Sequence, residues 1–320
     1  MKPTLVVVEL WGLGDLAIGT PFIQAATRKY EVTLIAKPYA RDLACRFFPS
    51  VNVKVFEAPW TAFRRKYRLW EWPWRELLNL RPAIPFDFGV STRCDPRDHL
   101  VLRWVGAHRR LGFPRVGSQV LLTDALPRPS PVAHRYEYWR ALALGLGLEL
   151  PLREHLAPSG GKRGSRVVVH TGAAQKLRVW PLERYRDLVL DLRQAGYSVQ
   201  VVCDSDQKTW WQSSGETEVT APASVSHLSS ILQNAGAFIG NDSGPGHLAA
   251  LLDVPTFTLF GPQLSQWFAP LHPVAEWLDG SPCPFKPCFD SCHFPSPYCL
   301  LALDAKLVCG KVRTFLSKHI

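Results

Sequence analysis

The chain has 320 residues, 47% of them hydrophobic, and 37 Lys and Arg against 27 Asp and Glu give a formal charge of +10. That length suits two globular domains of ordinary size. No apolar run reaches bilayer length, since even Ala141–Leu152 is interrupted by Gly, Glu and Pro, so no membrane-spanning helix is expected. The positive balance favours anionic partners: nucleotide phosphates, acidic glycolipids or a negative membrane surface. No recognised nucleic-acid module appears, so nucleic acid is not an expected partner.

Met1–Leu10 makes a poor signal peptide, because its short apolar run leads directly into a glycine loop, and a cytoplasmic location is expected. Leu5–Leu10 reads as a buried strand and Trp11–Gly19 as a Gly-rich loop. Thr20-Pro21 reads as the N-cap and first residue of a helix running to about Lys29. Gly12, Gly14 and Ala17 mimic a dinucleotide fingerprint. A helix starting at Thr20 leaves that loop too long, and the next strand, Val32–Ala36, ends in Lys37 where an acidic ribose ligand belongs. Asp15, flanked by glycine at the carboxyl end of the first strand, suits a general base; its alternative is a helix cap or an Asx turn.

From Arg41 to about Leu80 the αβ alternation continues, with Val53–Phe56 a short strand. Phe63–Arg75 interleaves basic and aromatic residues, as surfaces touching membranes or acidic ligands do; a solvated amphipathic helix is the alternative. Phe86–Val90 is a strand running into the polar loop Ser91–Asp95, where Arg93 is a candidate contact for an anionic acceptor. Pro127–Pro131 is turn-rich and His134–Leu146 a helix closing the first half. Ser159–Ser165 has linker composition, which divides the chain into domains 1–158 and 159–320.

The second half repeats the rhythm. Arg166–His170 is a strand, Thr171–Ala174 a small-residue loop, and Pro181–Ala195 a helix. Lys176 and Arg178, on the loop before it, could clamp a diphosphate. Ser198–Cys203 is a strand whose end places Asp204 to bind ribose or sugar hydroxyls, and His227–Ala235 is a helix. Ala237–Ile239 ends another buried strand, followed by Gly240-Asn241-Asp242-Ser243-Gly244-Pro245-Gly246-His247, the short apolar helix Leu248–Leu252, and the strand Thr256–Phe260. Backbone N–H groups from about Ser243 to His247 are left without internal partners there, and the helix dipole favours an anion at that end. The alternative is an ordinary βα turn.

Cys283, Cys288, Cys292 and Cys299 lie among Pro282, Pro284, Pro287, Pro295 and Pro297. In a cytoplasmic protein clustered thiols bind metal more often than they pair, and four thiolates suit structural zinc or iron; His293 could replace one ligand. Free or partly buried thiols are the alternative. Asp304–Ser317 reads as a closing helix.

The stretch Asn241–His247 with Leu259-Phe260-Gly261-Pro262, the opening Gly12-Leu13-Gly14-Asp15 with Thr20-Pro21, His134 with Glu137-Tyr138, Trp180-Pro181-Leu182-Glu183-Arg184 and the late cysteines together resemble glycosyltransferase family 9, the lipopolysaccharide heptosyltransferases. The resemblance implies a GT-B fold: two Rossmann-like α/β domains with parallel sheets facing across a cleft, acceptor on the first, nucleotide sugar on the second. It also implies that the last helix, about 304–317, packs back on the first domain. Asp15 matches the family's catalytic base, Arg178 a donor-phosphate contact, and Asp242, Ser243, Gly244 and His247 the nucleotide-sugar contacts.

The implied activity is inverting transfer of a sugar, heptose from ADP-heptose, to a lipopolysaccharide-core or related glycan acceptor. No catalytic cofactor or divalent cation is expected, and an anionic glycolipid acceptor and peripheral contact with the inner membrane are. A GT-B nucleotide-sugar epimerase and a non-catalytic nucleotide-sugar binding protein are the competing readings. The loop Leu16–Thr20 lacks a His that some heptosyltransferases carry, which leaves the sugar open.

Overall fold

The computed structural model describes residues 2–61, 73–156, 164–289 and 291–320. Most of the basic and aromatic run at 63–75 and most of the Gly-rich stretch at 159–165 lie outside the described residues. The chain divides into two compact units, Met1–Pro151 and Leu152–Ile320.

The first unit runs β1 (Thr4–Glu9), α1 (Leu13–Lys29), β2 (Glu31–Ala36), α2 (Ala40–Phe47), β3 (Asn52–Val55), α3 (Trp74–Asn79), β4 (Phe88–Val90), α4 (Pro96–Trp104), β5 (Arg109–Gly112), β6 (Asp124–Ala125) and α5 (Arg135–Gly145). Its sheet has the order β3-β2-β1-β4-β5-β6, with neighbouring strands parallel. Parallel strands covered on both faces need apolar side chains on both, which is why Leu5, Val6, Val7 and Val8 run without alternation and are all fully buried. The strand order reverses between β1 and β4, and a crevice opens there beyond the carboxyl ends of the strands.

Helix α1 begins at Leu13, seven residues before the predicted start at Thr20. Gly12 is its N-cap and Asp15 its third residue; the Asp15 Oδ2 accepts the Gly12 N–H at 3.3 Å. Pro21 lies inside the helix, where its missing N–H leaves only one carbonyl unanswered, and the Thr20 hydroxyl turns back to the Leu16 carbonyl at 3.0 Å. Leu16, Ile18, Phe22, Ile23 and Ala26 bury one side and outweigh the poor helix propensity of the glycines. The loop-length argument against a dinucleotide site therefore falls. Lys37, directly after β2, still stands where a ribose-binding acid belongs.

The second unit runs β7 (Arg166–His170), α6 (Leu182–Gln194), β8 (Val199–Val202), α7 (Lys208–Ser213), α8 (Val225–Gln233), β9 (Ala235–Asn241), α9 (Gly244–Leu251), β10 (Thr256–Phe260), α10 (Ser265–Phe268), β11 (Glu276–Asp279), α11 (Tyr298–Leu301) and α12 (Ala305–His319). Its parallel sheet is ordered β11-β10-β9-β7-β8, so the reversal falls between β7 and β9.

The resemblance implied that the last helix returns to the first domain. Within the second unit, Val308, Val312, Phe315 and Leu316, one stripe of α12, join the core with Leu188, Leu192 and Phe257. Phe315 is fully buried and its ring lies 5.5 Å from that of Phe257. Phe315→Ala should lower the stability of the second unit by about 3–5 kcal/mol, read from urea unfolding; a change well below 1 kcal/mol would contradict this placement.

Candidate active site

Each unit gathers its polar residues where its strand order reverses. In the first, Asp15 at the start of α1 meets Arg93 from the loop after β4. The Arg93 guanidinium lies 2.5 Å from the Asp15 Oδ1, and both side chains are about four-fifths buried, 17% and 21% exposed. Arg93 also lies over the Trp11 ring, 4.6 Å from its centroid, and its carbonyl is bonded to the His99 imidazole at 3.0 Å. With Gly12 on one carboxylate oxygen and Arg93 on the other, Asp15 has a fixed orientation.

Trp11 organises the ground beneath this pair. Its backbone N–H donates to Glu9 Oε1 at 3.1 Å, its indole N–H to Asp98 Oδ2 at 3.2 Å, and its carbonyl accepts the Tyr39 hydroxyl at 2.9 Å. Trp60 donates to the other Asp98 oxygen at 3.0 Å, and the Thr92 hydroxyl to Glu9 Oε2 at 3.2 Å. Glu9 and Asp98 are fully buried. Burial first, and the charge of Asp15 second, push the Glu9 carboxyl up to about 8. Burial pushes Asp98 up to about 6 even though Trp60 and Trp11 pull it down. Burial also lowers Lys37, while Glu57, Glu9 and Asp15 oppose it. The edge is strongly cationic further out: Arg93, Arg115, Arg128 and Arg135 all bear on the Cys94 thiol.

In the second unit the centre is Asn241, the last residue of β9 and fully buried. Its Oδ1 accepts the Trp180 N–H at 3.0 Å and the Tyr185 hydroxyl at 2.9 Å. Its Nδ2 donates to the carbonyls of Thr171 at 3.0 Å and Gly172 at 3.3 Å. One carboxamide thus pins the loop after β7, the start of α6 and the end of β9. Next to it, Arg178 is 3.2 Å from the buried Asp242. Lys176 is exposed on the same short turn, Lys176–Arg178.

The Ser243 hydroxyl donates to the Asn241 carbonyl at 3.2 Å rather than capping α9, where Pro245 has no N–H and the Gly246 N–H is bonded to the Ser243 carbonyl at 3.1 Å. His247 is buried one turn in. Asp204, after β8, leans on the loop after β7: a Cβ on Gly172 would displace its carboxylate. Burial and Asp206 raise the Asp204 carboxyl, and the Ala173 N–H lowers it. His170 lies 4.0 Å from Asp204, and burial drops its imidazole to about 4, so it is neutral near pH 7.

Within the second unit, then, Lys176, Arg178, Asp204, Asp242, Ser243, Gly244 and His247 all lie on loops and helix starts at the carboxyl edge of one sheet. Asp15 and Arg93 share the corresponding edge of the first. Arg93, predicted as an acceptor contact, is engaged with Asp15 itself.

The four late cysteines are neighbours: Cys283 and Cys292 bear on both Cys288 and Cys299. Among the described residues no group of three or more His, Cys, Asp or Glu is gathered as a metal ion requires. The Cys288 thiol turns to the Phe285 carbonyl and the Cys292 thiol to that of Ser296, each at 3.6 Å. Burial raises Cys288 and Cys299, while a hydrogen bond from Tyr298 lowers Cys283. His293 stacks on Phe285 at 3.9 Å between ring centroids.

Three participants escaped the sequence reading. Glu9 left a signal, a charged residue closing an apolar strand. Asn241 left another, an amide at the end of a strand buried along its whole length. Asp98 left none, because its partners Trp11 and Trp60 are distant in sequence.

Two parallel α/β units with charged residues gathered at their strand reversals define the class by fold: the chain has the GT-B fold. Residues 140–295 match the model of glycosyltransferase family 9 (heptosyltransferase). A lipopolysaccharide heptosyltransferase 1 from Pseudomonas aeruginosa is 27% identical over 316 residues, covering 89% of this chain and 85% of the relative. In fold, an Escherichia coli heptosyltransferase solved with ADP superposes with a TM-score of 0.74 at 16% identity, over 98% of this chain and 99% of that one. A family 9 glycosyl transferase from Veillonella parvula gives 0.74 at 16% identity, over 99% and 98%. These matches make residues 140–295 similar to glycosyltransferase family 9 and most of the chain similar to a lipopolysaccharide heptosyltransferase.

Glu9 supplies a test of the first crevice. The folded chain holds its proton to about pH 8, whereas an ordinary carboxyl releases it near 4.5. Stability should therefore fall as pH rises from about 4.5 to about 8. Glu9→Gln, which can still accept from Trp11 and donate to Thr92, should remove that slope and raise the melting temperature most at pH 8. An unchanged pH profile of the melting temperature would contradict a buried, proton-holding Glu9.

Proposed function

We propose that this chain is an inverting glycosyltransferase that moves heptose from ADP-heptose to a hydroxyl of a lipopolysaccharide-core or related glycan acceptor. Asp15 takes the proton of the acceptor hydroxyl as that oxygen bonds to the anomeric carbon from the face opposite the leaving group. The bond from the anomeric carbon to the diphosphate breaks, and its electron pair leaves with the ADP. Arg93 and the Gly12 N–H hold the Asp15 carboxylate in one orientation for this transfer. Lys176, Arg178 and the positive end of the α9 dipole receive the growing charge on the diphosphate, where fixed groups contribute most to lowering the barrier. Asp204 binds ribose or sugar hydroxyls, and Asp242 with Ser243, Gly244 and His247 completes the donor seat.

The observation that carries this reading is the fixed, one-fifth-exposed carboxylate of Asp15 on the first crevice. Support for the sugar comes from relatives: one is a lipopolysaccharide heptosyltransferase 1, and a solved E. coli heptosyltransferase carries an ADP-heptose analogue.

Asp15→Asn should leave donor affinity intact in calorimetry and lower turnover by about two to four powers of ten; unchanged turnover would overturn the assignment. Arg178→Ala should weaken ADP-heptose binding roughly ten- to a hundredfold, through the lost charge-assisted bond and the uncovered Asp242. Mass spectrometry without acceptor completes the test, since release of an altered nucleotide sugar would identify an epimerase instead.

A further inference from the structure

At the strand reversal of the first unit the two central strands part. Strand β1 stays paired with β2 as far as Glu9 and Ala36, but its pairing with β4 ends at Val7 and Val90. Ser91 donates its N–H to the Leu111 carbonyl of β5 at 3.4 Å, so the chain leaving β4 follows its other neighbour. Two residues past the last β1–β4 pair, one side chain spans the gap. Glu9 Oε1 accepts the Trp11 N–H at 3.1 Å, and Glu9 Oε2 accepts the Thr92 hydroxyl at 3.2 Å.

Trp11 precedes Gly12, whose N–H holds Asp15 Oδ2, and Thr92 precedes Arg93, which is closed on Asp15 Oδ1. Each oxygen of the Glu9 carboxyl thus fixes the residue next to one of the two groups that grip Asp15. A completely buried acid costs free energy unless its oxygens are bonded, and here both are. The bridge holds the two grips at one spacing, and a small misplacement of a reacting group is enough to lose much of a rate.

We propose that Glu9 is a positioning residue: its carboxyl ties the loop after β1 to the loop after β4 and so keeps Asp15 in the orientation that accepts a proton. The inference rests on the reading of Asp15 as the base, and Glu9 acts on it through Trp11 and Thr92. Asp15 from α1, Arg93 from the loop after β4, Asp98 from α4, and Lys37 and Tyr39 from the segment after β2 all bear on Glu9. With its proton, which burial keeps in place to about pH 8, Glu9 is a neutral tie. Without it, a second carboxylate draws on Arg93 and competes with Asp15.

The test is transfer from ADP-heptose to heptose-deficient lipopolysaccharide, with kcat and KM followed from about pH 6 to about pH 9. Thr92→Val keeps nearly the same side-chain shape and removes the bridge. It should lower kcat roughly tenfold and leave KM for ADP-heptose and the affinity for ADP unchanged. Glu9→Gln, which still accepts from Trp11 and donates to Thr92, should keep most of the parent turnover. It should also lack the fall in kcat that the parent shows above about pH 8. In an Asp15→Asn background Thr92→Val should cost nothing further, because its effect passes through Asp15. A kcat unchanged by Thr92→Val, or an equal loss in both backgrounds, would overturn the proposal while leaving Asp15 as the base. Unchanged turnover in Asp15→Asn alone would sink the base reading and this one with it.

Discussion

The second unit depends on one buried carboxamide. Asn241 uses both donor hydrogens and both lone pairs of its side chain on four groups from three segments, the loop after β7, the start of α6 and α6 itself. Asn241 is fully buried, so each unmade bond would cost its full desolvation. Because these bonds close together, the turn carrying Lys176 and Arg178 cannot drift from the end of β9, and Asp242 follows from its position as the next residue. The lack of a side-chain cap on α9 is then a result of placement, because Ser243 spends its hydroxyl on the Asn241 carbonyl.

The first unit reaches the same end by different chemistry. Its pinning group is a cation, Arg93, laid on the Trp11 ring and closed against Asp15. Around it the protein buries two carboxyl groups, Glu9 and Asp98, whose charge would be costly there. The Glu9 proton removes most of that cost near neutral pH, and two indole donors share the load at Asp98. The result is a crevice whose net charge is set mainly by Arg93, Asp15 and the arginines beyond.

Much of this was legible in the residues. Apolar runs such as Leu5–Val8 and Ala237–Ile239 have no reading other than doubly covered parallel strands, and the polar residues that follow them had to fall at one sheet edge. The start of α1 was not legible, because a helix opening Leu-Gly-Asp-Leu-Ala-Ile-Gly looks like a loop until Leu16, Ile18 and Phe22 are seen packed on the sheet. The Thr-Pro pair at 20–21 then mimics a helix start. Nor could the partner of Asp15 be read, since the pairing of β1 with β4 that brings Arg93 beside it is long-range. The cysteines lie close in sequence and stay close in the fold, where Cys283 and Cys292 bear on both Cys288 and Cys299.

Trp11 is asked to do four things at once, and this constrains how the chain can vary through evolution. Phenylalanine at position 11 would preserve the flat surface under Arg93 yet strip one donor from Asp98, leaving a buried acid with Trp60 alone. Exchange at position 11 is therefore tolerable only alongside a compensating change at 98 or 60, and the three should drift as a set among descendants of this sequence.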